Sequence, residues 1–253
     1  MLPRHVLATL VAAGLVAAAG PVPAQTAGDP PAQDRSRTPL PVATDSDGPD
    51  LAFTVGLQSD YVFRGVSQTE GEPGVFGAVD LTRDGAYLGL AAYTVSFPGD
   101  PDTNAEIDLY AGVRPEAGGW TFDIGAIAYL YPNQPDGADY SFVEARLGAS
   151  RSFGDLTVSG TAFVSPDFFG ASEDESAYVE INVAYPLTER LTLSGGLGRQ
   201  FVSSDFDYST VNLGGALALT DRLGLDLRYF DTNEHGFGDI YKGRVAAALK
   251  ATF

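Results

Sequence analysis

Cysteine is absent from the 253 residues, so disulfides, thiolate metal ligands and cysteine nucleophiles are excluded. Histidine is nearly absent: His5 and His235 are the two copies, too few for a multi-histidine metal site. Basic residues are scarce, 15 Lys and Arg against 33 Asp and Glu, for a formal charge of −18. That balance repels nucleic acid and excludes it as a partner. Beyond residue 19 there is no long apolar run, so no segment of the exported chain reads as a membrane helix. What the chain does have is 30 Gly, 12 Tyr and 15 Phe, the composition of a β-rich protein.

Residues 1–24 read as a signal peptide that is cleaved on export. Arg4 precedes an apolar run from Val6 to Ala19, Gly20-Pro21 breaks it, and Val22-Pro23-Ala24 offers small residues at a cleavage site. Residues 25–50 are rich in Pro, Asp, Thr and Ser and carry few large apolar side chains. They cannot bury enough surface to offset ordering entropy, and read as a disordered tether. Asp45-Ser46-Asp47-Gly48 resembles part of a calcium loop but lacks the closing Glu, so it reads as acidic linker.

From Leu51 the hydrophobic period is two. Leu51, Phe53, Val55 and Leu57 alternate with smaller or polar residues, as do Val143, Ala145 and Leu147 against Glu144 and Arg146, and Val179, Ile181 and Val183 against Glu180 and Asn182. Twelve strands are predicted, at about 51–66, 73–82, 86–97, 104–113, 119–131, 140–151, 155–165, 176–186, 190–201, 208–219, 223–231 and 243–253. Most exceed the ~5–6 residues of a soluble strand and match the ~9–11 that a tilted membrane strand needs. Short connections follow even strands and longer ones follow odd strands. The expected fold is all-β, a 12-stranded antiparallel up-and-down transmembrane β-barrel over residues 51–253 with both termini in the periplasm. A soluble β-sandwich is the competing architecture, and its strands would be shorter.

Charge separates the two sets of connections. The longer ones hold 15 acids against one base, Lys242, whereas the short ones balance. Asp167, Glu173, Asp174 and Glu175 are the candidate acids of an outer rim. Aromatic residues near predicted strand ends, among them Trp120, Tyr129, Tyr131, Phe153, Tyr185, Phe201, Tyr208, Tyr229 and Phe253, are expected to form interfacial girdles. Phe253, preceded at alternate positions by Ala251, Leu249, Ala247 and Val245, resembles the signal read by the barrel insertion machinery.

The run Ser59-Asp60-Tyr61-Val62-Phe63-Arg64-Gly65-Val66-Ser67-Gln68-Thr69 resembles the N-terminal signature of the TorF-type porin family of bacterial outer membranes. Glu106-Ile107-Asp108-Leu109-Tyr110 and Tyr129-Leu130-Tyr131-Pro132 also resemble that family, and the likeness spans about residues 51–253. It implies an outer-membrane barrel with a porin role and supplies no substrate.

On this register the candidate lumen-lining acids are Asp60, Asp80, Glu106, Asp108, Asp123, Glu144, Glu180 and Asp226. The bases are Arg64, Arg146, Arg228, Arg244 and Lys250, and Gln58, Tyr110, Asn182 and Asn212 complete the set. Arg199 is a less certain member. Asp60 and Arg64, placed about 13 Å apart on the first predicted strand at ~3.3 Å per residue, are each expected to pair with a neighbouring strand. Charges in a barrel interior must be paired or wetted, so two functions stand open. One is a porin passing small hydrophilic solutes, weakly cation-preferring because of its acidic rim. The other is a non-conducting structural or adhesive barrel whose lumen is filled by salt bridges. No cofactor, metal or catalytic residue is assigned: His5 leaves with the signal, and His235 in the last outer loop reads as a solvated loop residue, which leaves a nucleophile without its usual activating partner. The expected location is the bacterial outer membrane, with its lipids and lipopolysaccharide as partners.

Overall fold

The computed structural model describes residues 49–170, 175–203 and 205–253. The predicted signal peptide, nearly all of the tether, and Glu173 and Asp174 lie outside the described residues. Twelve long strands follow one another: β1 Asp50–Gln58, β2 Gly74–Arg83, β3 Ala86–Thr94, β4 Ala105–Val113, β5 Trp120–Leu130 and β6 Phe142–Phe153. The second half is β7 Leu156–Ser165, β8 Ser176–Pro186, β9 Leu191–Phe201, β10 Tyr208–Ala218, β11 Leu223–Thr232 and β12 Arg244–Thr252. Each pairs antiparallel with its sequence neighbours, and β1 pairs with β12 from Thr54↔Thr252 to Gln58↔Ala248. The ring is therefore closed, which removes the unpaired edges that lipid cannot satisfy. No helix among the described residues is long and apolar enough to cross a membrane; the crossing is made by strands.

The pleat sorts side chains by parity. Leu51, Phe53, Val55 and Leu57 point outward, as do Ile181 (65% exposed), Leu197 and Leu213. A continuous apolar belt of this kind is far beyond what a water-facing surface exposes, and it turns the usual inside-outside rule over. It excludes the β-sandwich, whose apolar face would be internal.

Local chemistry sets the tight turns at the end where β1 begins and β12 finishes. Arg83 pairs with Ala86 across Asp84 and Gly85, whose φ angles of 50° and 78° make the mirror-image turn that matches strand twist. At the opposite, far end the connections are longer. The start of β1 and the end of β12 meet at the short-turn end, where Phe53 and Phe253 exchange backbone hydrogen bonds of 3.0 and 2.9 Å. The Phe253 ring is exposed, with the Arg222 guanidinium 5.9 Å from its centroid.

Two expectations are corrected here. The first strand stops at Gln58 rather than residue 66, because Asp60–Thr69 turns into the barrel. Tyr129, Tyr131 and Tyr208 are not girdle residues: they are 1%, 4% and 7% exposed and point inward. Tyr129 and Tyr131 share the parity of Asp123, and closeness to a strand end does not override parity. Phe153, Tyr185, Tyr229 and Phe253 do lie exposed on the outer surface.

Candidate functional site

The lumen is organised by the segment that the signature motif occupies. Val62–Phe63 pairs with Val66–Ser67, leaving Arg64 and Gly65 as a two-residue turn with φ of 49° and 80°. Arginine is an unusual occupant of that left-handed position, since its Cβ makes it costlier than Asn or Gly there. Gly65 is required by space as well as by φ: a Cβ would sit 2.9 Å from the Thr232 methyl.

Asp60 anchors the base of this hairpin. It accepts hydrogen bonds from Ser67 Oγ (2.6 Å) and Thr69 Oγ1 (3.0 Å), and from Arg244 Nη1 on β12 (2.9 Å). The tip reaches the other side of the ring. Arg64 donates twice to Glu144 on β6, at 2.9 and 2.6 Å, and once to Gln200 Oε1 on β9, at 3.0 Å. Its guanidinium carbon lies 4.6, 4.8 and 4.5 Å from the ring centroids of Phe63, Phe163 and Tyr178. Opposite strands of a 12-strand ring are thus joined through the lumen. Arg64 therefore pairs across the barrel and not with a neighbouring strand, and neither Asp60 nor Arg64 belongs to β1.

Beside the hairpin stands a carboxylate-rich wall. Tyr61 Oη donates to Glu106 Oε1 at 2.5 Å, and Tyr131 Oη donates to Glu106 Oε2. Tyr129 Oη donates to Glu144 at 3.2 Å. Asp108, wholly buried on β4, has no hydrogen-bond partner for either oxygen among the described residues.

Lower in the barrel the charges form local sets. Asp123 accepts hydrogen bonds from Arg114 Nε at 3.1 Å and the Tyr87 hydroxyl at 2.8 Å, and forms an ion pair with Arg146 Nη2 at 2.9 Å. Asp80 accepts from Tyr110 at 2.5 Å. Arg228 spans Asn212 (2.9 Å), Ser194 Oγ (2.8 Å) and Asp226 (3.3 Å), and Glu180 accepts from Tyr178 and Asn182. Gln58 is buried on β1, and Lys250 is half-buried on β12. Arg199 departs from the set: it has outward parity on β9, 38% exposed, and bonds Ser209 and Asp207. The same register pairs it with outward Val179.

Bulk inside the barrel is laid along the wall. The Tyr110 ring covers Gly89, and Tyr87 covers Gly112 and Gly125, where a Cβ would stand within 2.6 Å of the ring or the opposing carbonyl. Aromatic rings concentrate on β3–β6, whereas β7–β10 present Thr157, Ser159, Thr161, Gly196 and Ala216, all only half-buried. Sequence reading missed this asymmetry and the inward tyrosines other than Tyr110. Parity alone would have sorted Tyr87, Tyr93, Tyr129 and Tyr178 with the lumen.

At the far rim, Asp167 and Glu175 are exposed. His235 Nε2 lies 2.7 Å from Asp231, also on this rim. In the loop after β3, Asp100 accepts from the Thr103 hydroxyl (2.6 Å) and from the Asp102 and Thr103 amides, and these bonds hold its carboxyl below the usual carboxylate range. A depressed folded pKa stabilises this loop above the unfolded value of ~3.9, and that contribution fades as pH falls through the folded pKa. Thr103→Val should therefore move the Asp100 titration toward ~3.9, as followed by carboxyl NMR; an unmoved titration refutes the assignment.

Residues 43–253 match a family model described as a bacterial protein of unknown function, Gcw_chp. The chain belongs to the Gcw_chp family. That model does not carry the TorF-type name expected from the Ser59–Thr69 motif. Among solved structures, the Gcw_chp chain is similar to a KdgM porin, with TM-score 0.56, 9% identity, and 80% of this chain and 98% of that one covered. It is similar to a NanC porin, with TM-score 0.56, 12% identity and coverage of 81% and 99%. A KdgM porin in complex with disordered oligogalacturonate aligns with TM-score 0.54, 9% identity and coverage of 80% and 98%. At these identities the likeness is one of fold. No curated protein matches the sequence. A closed porin-type barrel with a lipid-facing belt, in a bacterial family, places this Gcw_chp chain in the outer membrane.

Proposed function

We propose that this Gcw_chp barrel is a porin-type channel through which small hydrophilic solutes diffuse, with the Asp60–Thr69 hairpin as its constriction. The observation that carries this reading is the wall itself. Charged and hydroxyl side chains line it at every height, bulky rings lie flat over glycines, and the small polar face of β7–β10 stays half-exposed. A lumen built to be filled would bury that face under large side chains.

The acidic far rim supports a weak cation preference, because concentrated negative potential at a mouth enriches cations and repels anions. Under the same reading, Asp167, Glu173, Asp174 and Glu175 form that outer mouth beside lipopolysaccharide, and Phe253 serves as the insertion signal. The candidate lumen set from Gln58 to Lys250 provides the solute-facing wall. The oligogalacturonate of one neighbour is not carried over: Arg64, Arg114, Arg146, Arg228 and Arg244 each already face a carboxylate.

A second reading, a non-conducting barrel, is favoured by the hairpin that joins opposite walls. Planar-bilayer recording of the refolded chain separates the two. A conducting barrel should show a reversal potential displaced toward the cation equilibrium in a salt gradient. Absence of conductance supports the second reading, and clear anion preference overturns the role of the acidic rim.

A further inference from the structure

We infer that the cage now holding Arg64 is a binding subsite for guanidinium-bearing solutes, with the hairpin as its built-in occupant. The cage belongs to the wall, not to the hairpin. Glu144, Phe163, Tyr178 and Gln200 come from four consecutive strands, β6 to β9, and all are at most 6% exposed. Together they meet each feature of a guanidinium. A bidentate carboxylate matches the planar fork, an amide oxygen takes a third N–H, and two wall rings lie 4.8 and 4.5 Å from the central carbon.

The neighbouring wall carries two further buried carboxyl groups. Glu106 and Asp108 stand on β4, and the buried Asp108 oxygens lack any hydrogen-bond donor among the described residues. A buried carboxylate without a partner is costly. Donors brought by a solute larger than the Arg64 head would relieve that cost. Arg64 is tethered on its turn, so it fills the cage at high effective concentration, and a free solute competes weakly and leaves readily. Weak, reversible occupancy is what passage requires.

This inference rests on the channel reading, and its test keeps the two apart. Arg64→Ala empties the cage. Adding methylguanidinium chloride to the refolded variant should then raise its Tm by about 3 °C at roughly five times Kd, over sodium chloride at equal ionic strength. The Arg64→Ala, Glu144→Gln double variant should lose that rise. In bilayers, methylguanidinium should interrupt the current of Arg64→Ala and increase that of the unmodified protein by displacing the hairpin, an arm that does not depend on the variant folding. A Tm response without conductance overturns the channel reading and keeps the cage. Conductance with no methylguanidinium effect on Tm or current overturns the cage.

Discussion

Glu144→Ala is expected to cost ~3–5 kcal/mol of barrel stability, because it strands a guanidinium that is already out of water. The Arg64 and Glu144 side chains are 4% and 0% exposed and share two hydrogen bonds. Removing the carboxylate leaves Arg64 with Gln200 as its remaining hydrogen-bond acceptor, and the aromatic faces of Phe63, Phe163 and Tyr178 offset only part of the loss. The same substitution should loosen the hairpin tip and raise single-channel conductance, while Asp60 still holds its base through Ser67, Thr69 and Arg244. Urea unfolding in lipid vesicles and bilayer recording of the same preparation read both effects. A cost below ~1 kcal/mol with unchanged conductance would show that the pair is neither desolvated nor a constraint on the lumen.

The second large effect belongs to the outer surface. Ile181 sits at the middle of β8 with outward parity and 65% exposure. Ile181→Arg should cost ~2–4 kcal/mol in a bilayer, the penalty for a cation at the midplane of a barrel. Leu187, exposed just beyond the end of β8, provides the control: Leu187→Arg should cost at most ~1 kcal/mol, since a long side chain near the interface reaches the headgroups. If both substitutions prove equally mild, the apolar belt does not face lipid. On a water-exposed sheet, arginine at Ile181 would be close to neutral.

Much of the architecture was legible one strand at a time. A residue's parity within its strand sets whether it meets lipid or lumen, so Glu106, Asp108, Asp123, Arg146, Asn182, Asp226 and Arg228 could be placed inside without any knowledge of their partners. Where another cue competes with parity, parity decides the side. Standing near a strand end suggests a girdle for Tyr129 and Tyr131, although Asp123 on the strand that leads to them marks their parity as inward. The expected first strand runs eight residues past Gln58 because Val62, Phe63 and Val66 are themselves good strand formers. They do pair as strand, but with each other, and the Arg64-Gly65 turn between them reverses the chain.

The sequence by itself determined the twelve crossings, the lipid-facing side of each, and the segregation of acids to one end, because all three follow from local period and from turn chemistry. Only the closed ring decided which charges meet. Arg64 and Glu144 are 80 residues apart, and Asp60 and Arg244 are 184 apart. No local pattern encodes such distances. They become contacts when β1 pairs with β12, and when the hairpin after β1 folds back across the lumen.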